Sequence, residues 1–255
     1  MLGAIIGDVI GSRFEKENIK SKTFELFTKD SRYTDDTVLT IATADKLING
    51  GDYTKLYRKY AQKHPLAGFG GTFRKWMTGI IDGPYNSWGN GSAMRVSPVG
   101  YAFDTEEEVL EEAKISASVT HNHPEGIKGA QAVAMAIFVA RKGQSKSEIK
   151  TYIEQTFQYD LSQTIDEIRP EYKFDISCQG SVPQAIIAFL ESTDFEDAIR
   201  TAISIGGDSD TIACISGAIA EAFYGDIPEE LVEQTLARLP KSFKKIIEDF
   251  NQIKK

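Results

Sequence analysis

Two short segments concentrate groups able to do metal or acid–base chemistry. One is Tyr33-Thr34-Asp35-Asp36-Thr37 and the other is Gly206-Gly207-Asp208-Ser209-Asp210-Thr211. Each precedes an apolar stretch with helical spacing, so each is expected to open a helix. Asp, Ser and Thr at such a position cap free N–H groups and complement the helix dipole. A cap needs one acceptor, whereas each segment carries two carboxylates with flanking hydroxyls. Acids packed this closely repel unless a cation neutralises them. Their oxygens suit hard divalent ions such as Mg2+, Ca2+ or Mn2+ better than zinc. Two such helix starts facing each other would clamp a pair of ions. Spacing along the chain does not by itself bring them together.

Three other places carry weaker signals. Glu15 follows Gly11-Ser12-Arg13-Phe14, and a lone glutamate there reads as solvated surface. Gly89-Asn90-Gly91-Ser92-Ala93-Met94-Arg95 is either an ordinary turn or a nest whose backbone N–H groups hold an anion. It is not a P-loop. His121 and His123 lack the spacing of a zinc helix, which leaves a structural hydrogen bond or a contact to a sugar or phosphate. There is no Gly-x-Ser-x-Gly nucleophile elbow, and Cys214 sits in an apolar helix as packing.

The elements that must position these residues read as helices. Gly3, Gly7 and Gly11 recur every fourth residue over 2–11, a smooth ridge suited to close approach of another helix. Val38, Leu39, Ile41, Ala42 and Leu47 recur at helical spacing over 35–48, with Thr34 as N-cap and Asn49-Gly50-Gly51 as stop. Further helices are expected at 53–63, 105–119, 125–141, 146–157, 182–191, 195–205, 209–224, 229–238 and 241–253. The Ala-rich 125–141 segment is expected to be central. Gly and Pro cluster in loops at 64–72 and 82–91, and 158–177 reads as a polar surface excursion. No alternating strand series appears. The expectation is one all-α domain over 1–255, a compact orthogonal bundle of roughly a dozen helices.

The chain has 255 residues and a formal charge of −8. That length buries a core without staples. The acid excess argues against charge-driven binding to nucleic acid or anionic membrane. Two cysteines make no disulfide framework, and no apolar run reaches the ~20 residues of a membrane span. The apolar start carries Asp8 and lacks a basic region, so it is not read as a signal peptide. A cytoplasmic monomer is the expectation.

Taken together, the blocks Gly3–Glu15, Tyr33–Thr37, Gly89–Pro98, Thr120–Pro124, Ser181–Ala185 and Gly206–Thr211 resemble the ADP-ribosylglycohydrolase family, in its order. The resemblance implies an all-α fold around a dinuclear centre of two Mg2+, sometimes Mn2+. It implies Thr34, Asp35, Asp36, Asp208, Asp210 and Thr211 as metal ligands, with Asp35 also facing substrate. Glu15 matches the family's mobile glutamate, and Glu15 or Asp36 is the expected catalytic acid/base. Gly89, Asn90, Gly91, Ser92, Ala93 and Met94 match the loop that holds ADP-ribose, and His121 matches a substrate-side histidine. The implied activity is metal-dependent cleavage at C1″ of ADP-ribose, releasing it from a modified protein side chain or another acceptor. The alternative is a non-catalytic ADP-ribose binder or crystallin-like structural member. Glu221 stands where many members have a small residue, and 158–177 matches no family block.

Overall fold

The glycine ridge sets the centre of the fold. In the computed structural model, residues 1–253 are described, and fourteen α-helices occur among them. They are α1 (Leu2–Gly11), α2 (Asp35–Asn49), α3 (Tyr53–Lys63), α4 (Gly71–Met77), α5 (Val99–Ala102), α6 (Glu106–Ser118), α7 (Pro124–Arg141), α8 (Lys146–Phe157), α9 (Ile165–Ile168), α10 (Cys178–Glu191), α11 (Phe195–Ser204), α12 (Ser209–Tyr224), α13 (Glu229–Ala237) and α14 (Lys241–Ile253). The described residues contain no strand, only an isolated bridge between Gly89 and Ser177. None of these helices is long and apolar enough to cross a membrane.

α1 lies against α12 with their backbones almost touching. A Cβ on Gly3 would fall 2.3 Å from the Gly217 carbonyl, and one on Gly7 would fall 2.1 Å from that of Ala213. One on Gly11 would meet the Asp210 Cα at 2.6 Å. As the α1 number rises its α12 partner falls, so the helices are antiparallel. The C-terminal end of α1 therefore meets the N-terminal end of α12, which carries Asp208 and Asp210. At the opposite end Glu221 accepts from the Gly3 amide at 2.8 Å, far along α12 from those acids. From Ser209 to Glu221 every residue of α12 is buried, as befits a helix apolar all round. The expected central helix, α7, packs against α12, and it is buried almost continuously from Gly129 to Ala140.

The helix starts follow local chemistry. Thr34 Oγ1 accepts from the Asp36 amide at 3.3 Å and caps α2. Thr105 and Glu108 form a capping box for α6, and His123 caps α7 by accepting from the Glu125 amide at 3.1 Å, with Pro124 in the first turn.

Three features differ from expectation. α4 takes Gly71 and Thr72 from the expected 64–72 loop and otherwise falls in 73–77, for which no element was expected. α10 begins four residues before position 182, capped by Ser177, and carries Pro183 within it. The 158–177 segment is mostly exposed, as expected, but it is anchored in the core at four places. Tyr159, Leu161, Ile165 and Ile168 are buried, the last two in α9, which packs on α10.

Candidate active site and metal centre

Asp8 organises the site from within α1. Its side chain is fully buried in an otherwise apolar helix. Oδ1 accepts from the Thr34 hydroxyl at 2.6 Å. Oδ2 accepts from the amides of Thr34 at 2.9 Å and Thr37 at 3.1 Å, and from the Thr37 hydroxyl. These bonds fasten the start of α2 to α1, and Gly11 fastens α1 to the start of α12. The two acidic helix starts are thereby brought to one place. Asp8, Asp36 and Asp210 each offer a carboxylate oxygen within 4.8 Å of the others.

The turn before α12 needs its glycines. Gly206 and Gly207 adopt φ of +75° and +71°, a region that side chains rarely enter. The Asn18 amide grips this turn, donating to the Gly207 carbonyl at 2.9 Å and accepting from the Gly207 amide at 2.8 Å. Asn18 lies three residues beyond Glu15, so the Glu15 segment and the Asp208 turn are tied together. Asn90 makes the third tie, donating from Nδ2 to Asp208 Oδ2 at 2.7 Å.

A cavity of about 400 Å³ opens over this cluster. Glu15, Thr34, Asp35, Asp36, Asp208, Asp210 and Thr211 line it, together with Gly89, Asn90, Gly91, Met94 and His121. Ser92 and Ala93 do not. The Ser92 hydroxyl turns away to donate to the Gly126 carbonyl at 2.7 Å, and Ala93 is fully buried. The Gly89 amide donates to Ser87 Oγ at 3.1 Å and the Asn90 amide to the Ile176 carbonyl at 2.8 Å. His121 is buried and His123 serves as a helix cap.

The electrostatics are those of acids without a counter-charge. Burial, then the charge of Asp8, pushes Asp35 up to about 8. Burial pushes Asp8 up to about 6 against the four threonine hydrogen bonds that favour its charged form. Asp36 and Asp210 are raised well above the usual carboxylate range by burial and by neighbouring aspartates, and Asp208 is raised by burial. Asp36 Oδ1 is buried without a hydrogen-bond partner. A buried acceptor in that state is costly unless a donor or cation meets it. This donor set, all hard oxygen with one orphaned carboxylate atom, fits a divalent cation.

The ADP-ribosylglycohydrolase family model matches residues 1–253. The chain belongs to the ADP-ribosylglycohydrolase family. It is 27% identical to mouse ADP-ribosylhydrolase ARH3 (Mus musculus), over 99% of this chain and 87% of that protein. It is 28% identical to the human ARH3 (Homo sapiens), over 90% and 86%. ADP-ribosylarginine hydrolase Tri1 of Pseudomonas putida is 25% identical, over 92% of this chain and 72% of its own length. A solved chain of an ADP-ribosylglycohydrolase-related protein complex superposes with a TM-score of 0.71 at 22% identity, covering 99% of this chain and 96% of that one. That likeness bears on the fold, which is all-α and ADP-ribosylglycohydrolase-like.

Within this family member, residues outside the sequence expectation also shape the site. Asp8 registered only as a charge interrupting an apolar run, although a lone acid inside a glycine-ridged helix marks a buried polar anchor. Phe174 and Ile176 line the cavity from the 158–177 segment, and both are more than half exposed. Tyr85 and Arg95 line it as well. Large apolar residues in a polar stretch were the available signal for the first pair.

The raised carboxylates make a signed prediction. A folded-state pKa above the unfolded 3.8 means that the folded protein holds more protons. Stability of the chelator-treated protein is therefore greatest at low pH within the folded range. It falls as pH rises through about 4 to 8. Melting temperature measured at stepped pH should decline over this window, and the decline should shrink when Mg2+ is present. A flat or rising profile without metal contradicts the electrostatics described.

Proposed function

We propose that this chain is a divalent-cation-dependent hydrolase that releases ADP-ribose from a modified protein side chain or another acceptor. The observation carrying this is that five acids, Glu15, Asp35, Asp36, Asp208 and Asp210, share one cavity with Gly89 to Gly91 and His121 in a member of this family. Thr34, Asp35, Asp36, Asp208, Asp210 and Thr211 would hold two Mg2+, or Mn2+. When bound, such ions supply Lewis acidity, hold a sugar diol and lower the pKa of water. The rest of the chemistry falls to the chain. The orphaned Asp36 Oδ1 favours Asp36 as a ligand, which leaves Glu15, half-buried at the cavity, to take a proton from the attacking water. The water oxygen bonds to C1″ as the bond from C1″ to the acceptor atom breaks, and the acceptor leaves with the proton that Glu15 took.

The Gly89 and Asn90 amides are already engaged, so anion binding at this loop falls to the amide of Gly91, which lines the cavity. Gly91 has no Cβ to stand between a ligand and His121. A panel of arginine-, serine- and nucleobase-linked ADP-ribose, assayed for free ADP-ribose with and without Mg2+, tests the proposal. Release from at least one linkage, dependent on Mg2+ or Mn2+, is expected. Tight binding of ADP-ribose with no release from any linkage would instead mark a non-catalytic binder.

A further inference from the structure

Asp8 has an oxygen within 4.8 Å of oxygens from Asp36 and Asp210, close enough to be taken for a further metal ligand. Its hydrogen bonds argue for a different part. An ionised carboxylate offers about four lone-pair sites. Oδ2 accepts from the Thr34 amide at 2.9 Å, the Thr37 amide at 3.1 Å and the Thr37 hydroxyl. Oδ1 accepts from the Thr34 hydroxyl at 2.6 Å. Four donors fill the four sites, which leaves none for a cation. Asp8 is also fully buried and does not line the cavity, whereas Thr34 does.

The influence of Asp8 on the site runs through Thr34. A threonine hydroxyl has one proton and two lone pairs. Two carboxylates compete for that proton, Asp8 Oδ1 at 2.6 Å and Asp36 Oδ2 at 3.2 Å. The contact to Asp8 has the length of a charge-assisted bond and takes it. All four bonds from Thr34 and Thr37 favour the charged, accepting form of Asp8. The Asp36 amide occupies one Thr34 lone pair at 3.3 Å, as the cap of α2. The second lone pair is left over. Asp36 Oδ1, on a side chain only 2% exposed, is likewise without a partner. Two unfilled acceptor sites therefore stand at the same helix start, on two side chains that both line the cavity.

We propose that Asp8 is a positioning residue: by taking the Thr34 proton, it keeps one Thr34 lone pair free for a divalent cation shared with Asp36. This rests on the metal-dependent reading proposed above. Asp8→Asn keeps the shape and reverses a single bond. Two backbone amides face Oδ2, so the asparagine oxygen must sit there and its NH2 must replace Oδ1. Thr34 Oγ1 then accepts from two N–H groups and turns its proton to Asp36 Oδ2. No lone pair remains for the ion.

Calorimetric titration of the full chain with Mn2+ at pH 8 should show binding weakened about 10–100-fold in Asp8→Asn, the range for losing a partner that orients a metal ligand. Losing a negative charge weakens cation binding as well, so the same substitution is also made in Thr34→Val, which has no hydroxyl to turn. There the loss should be at least about 3-fold smaller, as for residues coupled in one hydrogen-bond network. Equal Mn2+ affinity in Asp8→Asn and wild type overturns the proposal, as does the same fold-loss in both backgrounds. Nuclear magnetic resonance of the threonine-labelled wild type needs no substitution. The Thr34 hydroxyl proton should exchange slowly and cross-relax with the Asp8 side chain, before and after Mg2+ is added. A proton that cross-relaxes with Asp36 instead overturns the proposal, even where Asp8→Asn fails to fold. A wild type that binds neither ion ends the metal reading, while the hydroxyl proton of the metal-free protein still decides which carboxylate holds it.

Discussion

Replacing Asp210 with alanine is expected to slow release of ADP-ribose by at least about 100-fold, the scale of losing a main electrostatic stabiliser of the transition state. Asp210 stands in the first turn of α12, within 4.8 Å of oxygens from Asp36 and Asp8. Removing it takes away one of the oxygens that would hold a divalent ion. It also relieves repulsion among buried acids. The substitution therefore has opposite effects on two measurable quantities. Calorimetric titration with Mn2+ should show weakened binding. The metal-free Asp210→Asn protein should melt above the metal-free wild type at pH 8, where the wild-type cluster is under most pressure to ionise. Loss of activity with a lowered melting temperature would point to misfolding instead. Wild-type rates in Asp210→Ala would remove it from the chemistry.

Gly7→Ala is expected to produce the largest loss of stability among single-methyl additions. The new Cβ would lie 2.1 Å from the Ala213 carbonyl oxygen and 2.7 Å from the Cys214 amide nitrogen, both backbone atoms that no rotamer change can move. The helices must separate. Overpacking in cores costs ~1–3 kcal/mol and more when backbone must shift. About 3 kcal/mol corresponds to a fall of roughly 6–12 °C in melting temperature for a domain near this size. Separation also carries Asp8 away from α12, so weakened metal binding should accompany the loss. Gly70→Ala is the control for stability, because its φ is −60° and nothing lies within 4 Å of the added carbon. Equal melting temperatures for Gly7→Ala and wild type would contradict the close packing of α1 on α12.

Much of this was legible from the chain because it depends on local chemistry. Glycine every fourth residue can only mean a smooth helix face, and the structure places α12 against it. Thr34 reads as a cap from its type and position, and it caps α2. The acids that stand in excess of a cap, Asp35, Asp36, Asp208 and Asp210, do come together around one cavity. What stayed hidden depends on partners distant in sequence. Asp8 looks like a misfit until Thr34 and Thr37 are placed beside it, 26 and 29 residues away. α4 was masked by Gly70 and Gly71, which signal a turn although Phe73, Trp76 and Met77 anchor a helix on one face. Pro183 hid the true start of α10, because proline favours a first turn. In 158–177 Leu161, Ile165 and Ile168 do recur at helical spacing, but the polar residues between them and Pro170 masked it, and only Ile165–Ile168 forms a helix.

The most direct measurement is the rate of free ADP-ribose release by chelator-treated wild-type protein as Mg2+ or Mn2+ is returned, using whichever linkage the panel shows to be cleaved. A metal-bound cluster at the joined starts of α2 and α12 requires negligible release without metal, recovery on titration, and no recovery in Asp36→Asn. Undiminished release by the metal-free protein, or full recovery in Asp36→Asn, would contradict it.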